Sequence, residues 1–394
     1  MLALALALRA DRHRVTVCAP PDFATWTSEL SLPFHPVGES VQSLLARCAN
    51  KDGNLPMRVI MREMPRLLVD QFPTMEPLVR DADAVVSTLS WAGASLAEKY
   101  DIPYHNVVFS PSLFPSRRHP APFIQSQGLP RWVNALTWRL NDRVARLFLK
   151  KPINAARARL GLKPLGDVWN DLLWRRPMLA SEPSFAPPPP DMRADVLQTG
   201  AWFMPEREEL DRDLEAFLRA GPPPVYIGFG SMPDKDPVAT SRLVVRAVLA
   251  AEARALLSRG WAGLGVVELP PTVRVIGPTP HGKLFPCVAA VVHHGGAGTT
   301  ANAARAGVPQ VIVPHLLDQF FWCHRAWQLG LTPRPIANRR RLTASSLAEA
   351  IRACVTDEEL RDRARAFAGG VVTDGVQRAV RVIAGESAPA AAVE

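Results

Sequence analysis

Cysteine is scarce in this sequence: five in 394 residues, at Cys18, Cys48, Cys287, Cys323 and Cys354. An odd number, widely spaced and never arranged as CxxC, argues against a disulfide framework and against a zinc site, so no metal is expected. Long apolar runs are missing too. Met1 to Leu8 is apolar, but no basic stretch precedes it and it runs straight into Arg9, Asp11 and Arg12. It is too short to span a bilayer and lacks the form of a targeting segment. There is no RNP-type strand and no paired Cys/His finger, and the arginines are dispersed, so no nucleic-acid partner is expected. A GxGxxG after the opening strand and an acid closing the second strand are both absent, which argues against a dinucleotide-dependent oxidoreductase. These absences fit a reducing cytoplasm, with peripheral contact at the inner membrane face left open.

What is present is the composition of a globular protein, 47% hydrophobic and 21% charged, and a length suited to two domains. A formal charge of +9 and a pI near 9.7 favour anionic partners without choosing among nucleotides, lipid surfaces and nucleic acids.

Short β-branched runs alternate with helical stretches along the chain. A helix over 2–10 precedes a buried strand at 14–18, an odd order for a parallel sheet, because a leading helix without its strand leaves a hole. Strands at 84–88 and 106–109 flank a helix at 93–100. From 131 to 162 the pattern is helical, with apolar residues interleaved with Arg139, Arg143, Arg146, Lys150 and Lys151. That stretch reads either as a packed helix with a solvated face or as an acceptor-side or membrane-surface element. Proline-rich segments between 183 and 224 bracket an acidic, helix-like stretch around 206–218 and mark the domain boundary, placed at 205/206. Strands at 225–229, 254–258, 272–276, 289–292 and 310–313 come after it, with helices at 238–250 and 375–383. The Ala-, Pro- and Ser-rich tail over 385–394 is expected to fray.

The most informative stretch runs from Ala289 to Thr300: a buried strand, His293 and His294, the glycines Gly295, Gly296 and Gly298, then a helix. Glycines let the backbone approach an anion closely, and the amides and dipole at the helix start favour a diphosphate. Thr299 and Thr300 can add hydroxyl donors. Tight packing of a βα unit is the plain alternative for the glycines, and a core role the alternative for the histidines; strand alternation sends only one of the two inward. Gly228-Phe229-Gly230-Ser231 forms a second glycine-rich turn on the same sheet edge. Asp318 and Gln319 come after the next strand, where they suit sugar hydroxyls or a helix N-cap equally.

These residues closely resemble the inverting nucleotide-sugar glycosyltransferases of the GT-B fold, bacterial and sterol-type, through AAVVHHGGAGTTANAARAGVPQVIVPHLLDQFFWCHRAWQLGL at 289–331. PVYIGFGSMP at 224–233, SRGWAGL at 258–264, PHGKLFP at 280–286, INAARARLGLKPL at 153–165 and TDGVQRAVRVI at 373–383 extend the likeness. The resemblance implies an α/β chain with two Rossmann-like domains facing across a cleft. Residues 1–205 would bind an apolar small-molecule or lipid acceptor, of the sterol, polyketide or flavonoid kind, and 206–384 a UDP- or TDP-sugar. By carry-over, Ser231, His293, Gly295, Gly296, Ala297, Gly298 and Thr299 would hold the donor diphosphate, and Asp318 with Gln319 the sugar. The donor is a substrate and no cofactor is implied.

Two departures stand out. Plant relatives place an aromatic ring where this chain has Gly277-Pro278-Thr279, which leaves uridine against thymidine open. Family members also begin with a strand and a loop like G-T-R-G-D-x-Q-P that carries the base, whereas MLALALALRADRHRVTV resembles only the segment after that loop. The expectation is therefore a hexosyltransferase whose chain is N-terminally truncated, without its first strand and with its catalytic residue unassigned; donor binding without turnover is the alternative. Loss of a base removes about 10²–10⁴-fold of rate. His105 and His119 are the nearest substitutes, and a catalytically silent nucleotide-sugar-binding protein is the rival reading.

Overall fold

A computed structural model describes residues 1–48, 57–192, 194–205, 209–336 and 338–385. The expected fraying tail lies, apart from Gly385, outside the described residues, and the expected boundary at 205/206 abuts 206–208, which lie outside them too.

The first part of the chain forms α1 (Leu2–Ala10), β1 (Val17–Ala19), α2 (Ala24–Glu29), β2 (Phe34–Pro36) and α3 (Val41–Cys48). After these come α4 (Met57–Val69), α5 (Gln71–Arg80), β3 (Val85–Ser87), α6 (Trp91–Tyr100), β4 (Tyr104–Val108), α7 (Arg131–Arg159), β5 (Met178–Leu179) and β6 (Leu197–Gln198). Strands β3, β4, β5 and β6 pair in that order, all parallel. Strand β1 pairs only with β2, and among the described residues no ladder joins that pair to β3. The strand expected at 14–18 is thus shorter, shifted and incompletely buried, because one of its edges has no partner strand.

Helix α1 bridges the two sheets. Leu4 and Leu8 pack with Val86, Val107 and Met178 of the larger sheet, while Ala5 and Leu6 pack with Val15, Val17 and Leu32 beside the smaller one. Leu at alternate positions would point to one face of a strand; wound at 3.6 residues per turn, the run instead covers most of the helix surface, so a helix buried on both sides results.

The second part comprises α8 (Arg212–Arg219), β7 (Val225–Gly228), α9 (Pro237–Ala250), β8 (Ala255–Ser258), β9 (Val273–Ile276), α10 (His281–Leu284), β10 (Ala290–His293) and α11 (Ala297–Arg305). Next are β11 (Gln310–Ile312), α12 (Gln319–Gln328), α13 (Ala344–Thr356), α14 (Glu358–Ala368) and α15 (Gly375–Ile383). The five strands lie in the order β11-β10-β7-β8-β9, all parallel. Their residues are apolar on both faces, as a sheet covered by helices on both sides requires: Val225, Ile227, Leu257 and Val292 meet α9 and α13, and Tyr226, Leu256 and Val291 meet the cluster around Phe285. Strand order reverses between β7 and β10, and in such sheets ligands bind at the carboxyl ends beside that reversal.

The chain then crosses back. Val376 and Ala379 of α15 pack with Ala3, Leu4 and Leu8 of α1 and with Met178, so the last helix belongs to the core of the first sheet.

Candidate functional site

The turns that leave β7 and β10 converge at the reversal point. Strand β10 ends at His293, and Gly295 turns the chain at a φ of 92°. A Cβ there would lie 2.9 Å from Ile312 Cγ2 and 3.1 Å from the Gln319 carbonyl, so only glycine fits. Gly296 then caps α11 with no side-chain hydrogen bond, which leaves the first-turn amides of Ala297, Gly298 and Thr299 pointing out of the helix without a side-chain acceptor. The half-buried Thr299, in the same turn, can add its hydroxyl to them. Thr300 cannot: it is buried, and its Oγ1 donates to the Gly296 carbonyl at 2.9 Å.

His293 differs from the role the resemblance implies. It is 0% exposed, its Nε2 is 2.9 Å from Gln310 Oε1, and its Nδ1 accepts the Gly295 amide at 3.1 Å. Both ring nitrogens are used inside the domain, so the ring fixes the glycine turn and does not reach into the cleft in this arrangement. Burial pushes it down to about 3, which keeps it neutral.

The imidazole between the two turns is His294. A Cβ on Gly296 would fall 2.5 Å from its Nε2, and one on Gly230 would fall 2.7 Å from its Cε1. The two glycines leave the space that this ring fills. Its Nδ1 is buried without a hydrogen-bond partner, and desolvation pushes the ring down to about 4. The sequence held this signal as the second histidine of the pair, but alternation alone could not say which ring turns inward.

From β7, Gly230 takes a φ of 59° and its carbonyl accepts the Trp261 amide at 3.0 Å, which ties the turn to the loop after β8. Ser231 comes next in the chain and is partly exposed.

Asp318 stands at the start of α12 but makes no capping bond. Its Oδ2 instead accepts the Trp322 indole N–H at 3.0 Å, and desolvation raises its carboxyl above the usual range. The Gln319 Oε1 accepts the amides of His315 and Leu316 at 2.8 and 3.0 Å, and its Nε2 approaches Met232 Sδ at 3.6 Å. Gln319 therefore braces the loop after β11 against the loop after β7. Between them Leu317 holds a φ of 52° while exposed, a strained position beside the site.

On the facing domain, a void of about 20 Å³ separates Ala297 and Thr300 from Phe109, Ser181 and Glu182. His119 reaches the same boundary, its ring centroid 5.6 Å from that of Phe321, with Nδ1 at the Pro120 carbonyl. His105 lies on β4 with a buried Nε2 that has no partner. Burial pushes both imidazoles down, and neither is hydrogen-bonded to a carboxylate. Among the described residues no group of three or more His, Cys, Asp or Glu could hold a metal ion.

Residues 248–380 match the family described as Erythromycin biosynthesis protein CIII-like, C-terminal domain. The chain is 36% identical to "Glycosyltransferase GtfE" of Amycolatopsis orientalis, over 99% of this chain and 95% of that protein. It is also 36% identical to "Vancomycin aglycone glucosyltransferase" of the same organism, over 97% and 93%. Sterol 3-beta-glucosyltransferase UGT80B1 of Arabidopsis thaliana is 29% identical over the whole of this chain and 64% of its own length. Among solved structures, glycosyltransferase VinC in complex with DTDP superposes with a TM-score of 0.67 at 21% identity, covering 98% of this chain and 95% of that one.

Proposed function

This chain belongs to the nucleotide-sugar glycosyltransferases of the GT-B fold, and on that premise we propose that it moves a hexose from a UDP- or TDP-sugar to a hydroxyl of an apolar acceptor, with inversion. The observation that carries the reading is the convergence of two glycine turns and an uncapped helix start at the point where the strand order reverses. There the amides of Ala297, Gly298 and Thr299, with Ser231 and the His294 ring, meet the donor diphosphate. Gly295 and Gly296 let the chain come close, and His293 holds the turn from behind. Asp318 receives the sugar hydroxyls, and Gln319 fixes the loop that presents it. The relatives named for a vancomycin aglycone and for a sterol support a non-sugar acceptor, of the sterol, polyketide or flavonoid kind. The complex of VinC with DTDP supports a thymidine as readily as a uridine nucleotide.

In the proposed step the acceptor oxygen bonds to the anomeric carbon as the bond from that carbon to the diphosphate breaks. The acceptor proton passes to a base, and the leaving charge is met by amides already in place. The base itself is unassigned. A second reading, donor binding without turnover, is favoured by one observation: among the described residues neither the His105 nor the His119 ring is hydrogen-bonded to a carboxylate, and the Nε2 of each is buried without a partner. Calorimetric titration of donor, beside donor hydrolysis and transfer to a panel of apolar alcohols, separates the two. Binding with transfer supports the transferase reading and assigns the base to residues present here. Binding without transfer supports the silent reading, and no donor binding overturns the proposal.

We also propose peripheral contact with the inner membrane face, where apolar and lipid acceptors collect.

A further inference from the structure

Helix α7 turns four large apolar side chains away from the core. One face is ordinary core: Ala145, Leu149 and Ile153 are buried among Trp91, Val108 and Leu173. On the opposite face Trp132, Leu136, Leu140 and Leu147 are 68, 55, 60 and 74% exposed. Their spacings of four, four and seven place them in one stripe, about 22 Å long at 1.5 Å per residue. Single exposed leucines are common on protein surfaces, but four large apolar side chains aligned on one helix form a patch that calls for a partner.

The charge around the stripe says which partner. Helix α7 has one acidic residue, Asp142, against eight Arg and Lys. Asp142 is held by Arg146 at 3.0 Å, and Arg146 also reaches Asp167 at 3.3 Å. Arg139 and Arg143 are exposed beside Leu136 and Leu140, Lys151 lies one turn beyond Leu147, and none of these three makes an ion pair with a described residue. A second copy would set this basic ridge against another of the same sign, whereas an anionic surface satisfies it.

We propose that the exposed face of α7 docks on an anionic phospholipid bilayer, its leucines and Trp132 entering the headgroup boundary and Arg139, Arg143 and Lys151 meeting lipid phosphates. No helix among the described residues is long and apolar enough to cross a membrane, so this contact lies along the surface. It does not depend on the chemistry proposed for the cleft, since the donor turns belong to the other sheet.

Sedimentation of the full chain with vesicles tests it. The chain should pellet with vesicles of equal parts phosphatidylcholine and phosphatidylglycerol, stay largely in solution with phosphatidylcholine alone, and release as salt is raised. Leu140→Ser with Leu147→Ser should weaken binding about tenfold or more at every salt concentration. Arg139→Gln with Arg143→Gln should weaken it about fivefold per residue and flatten its dependence on salt and lipid charge. All four positions are exposed, so melting temperature and nucleotide binding should stay at the unsubstituted values. Vesicle binding that ignores both pairs overturns the proposal. So does a dimer in solution that the leucine pair dissociates, since the stripe would then be filled by a second copy.

Discussion

Asp318 is a carboxylate with one visible partner, the Trp322 indole, in surroundings that disfavour its charge. An ionised group left in that state lowers stability in the absence of ligand, and the sugar hydroxyls proposed to meet it would match it. Asp318→Asn keeps an acceptor for Trp322 and removes the charge. It should raise the melting temperature at neutral pH while lowering kcat/KM for donor by one to two orders of magnitude, from about 1.5–3 kcal/mol for a hydrogen bond to a charged group. A lower melting temperature would show that the carboxylate is structural. His293 predicts a different pattern. Its removal as His293→Ala strands the buried Gly295 amide and the Gln310 side chain, at about 1–3 kcal/mol each, so stability and donor affinity should fall together. His294→Ala should lower donor affinity with a smaller loss of melting temperature, because no hydrogen bond of the fold ends on that ring's Nδ1. Titration calorimetry alongside thermal melts distinguishes the two. At this scale the sequence pointed to the turn after β10, and it did not show that His293 faces inward while His294 fills the space between the two glycine turns. The side chain after a strand's last residue is set by turn geometry, and neither the Gln310 contact nor the Thr300 back-bond to Gly296 has a local signature.

Among the elements, the long β-branched runs of the second sheet were legible to within a residue or two, because a strand buried on both faces reads as continuous Val, Ile and Leu. Strands β2, β5 and β6, two or three residues each, carry no period to read, and they exist because neighbouring strands offer an edge. Helix α7 was legible in extent, 131–159 against an expected 131–162, but which of its apolar side chains stay outside the core depends on what packs against it and has no local signature. The glycine turns invite a direct test. Gly296→Ala sets a methyl 2.5 Å from the His294 Nε2 as that ring now stands, and the ring must shift toward the space proposed for the diphosphate. Nucleotide affinity should fall with the α11 helix still formed, at a cost of about 1 kcal/mol, since the extended φ of −66° at this N-cap is open to alanine although glycine caps better. Calorimetry showing full affinity in Gly296→Ala would remove His294 and this turn from the donor site.

For the whole molecule, pH enters through a group of imidazoles around the two glycine turns. His281, His294 and His315 are pushed down to about 4 and His293 to about 3, in each case mainly by desolvation. In the unfolded chain they would titrate near 6.5, so between pH 6.5 and about 4 the unfolded state binds more protons. The stability they contribute is complete above 6.5 and drains away as pH falls through that window. Thermal melts should decline steadily over that range. Melts that stay flat down to pH 4 would show the rings to be better solvated than their burial suggests.

The bridge formed by α1 sets how the first part of the chain opens. Strands β1 and β2 share no ladder with β3, so α1, through Leu6 on one side and Leu4 and Leu8 on the other, transmits cooperativity between the two sheets. Side-chain packing without interstrand hydrogen bonds permits a sub-global opening in which residues 17–36 lose amide protection while β3 to β6 retain theirs. Native-state hydrogen exchange should therefore resolve two tiers in this half of the protein. Leu6→Ala should lower the weaker tier and leave the stronger one in place; a single tier across both sheets would mean that the bridge couples them as tightly as a ladder would.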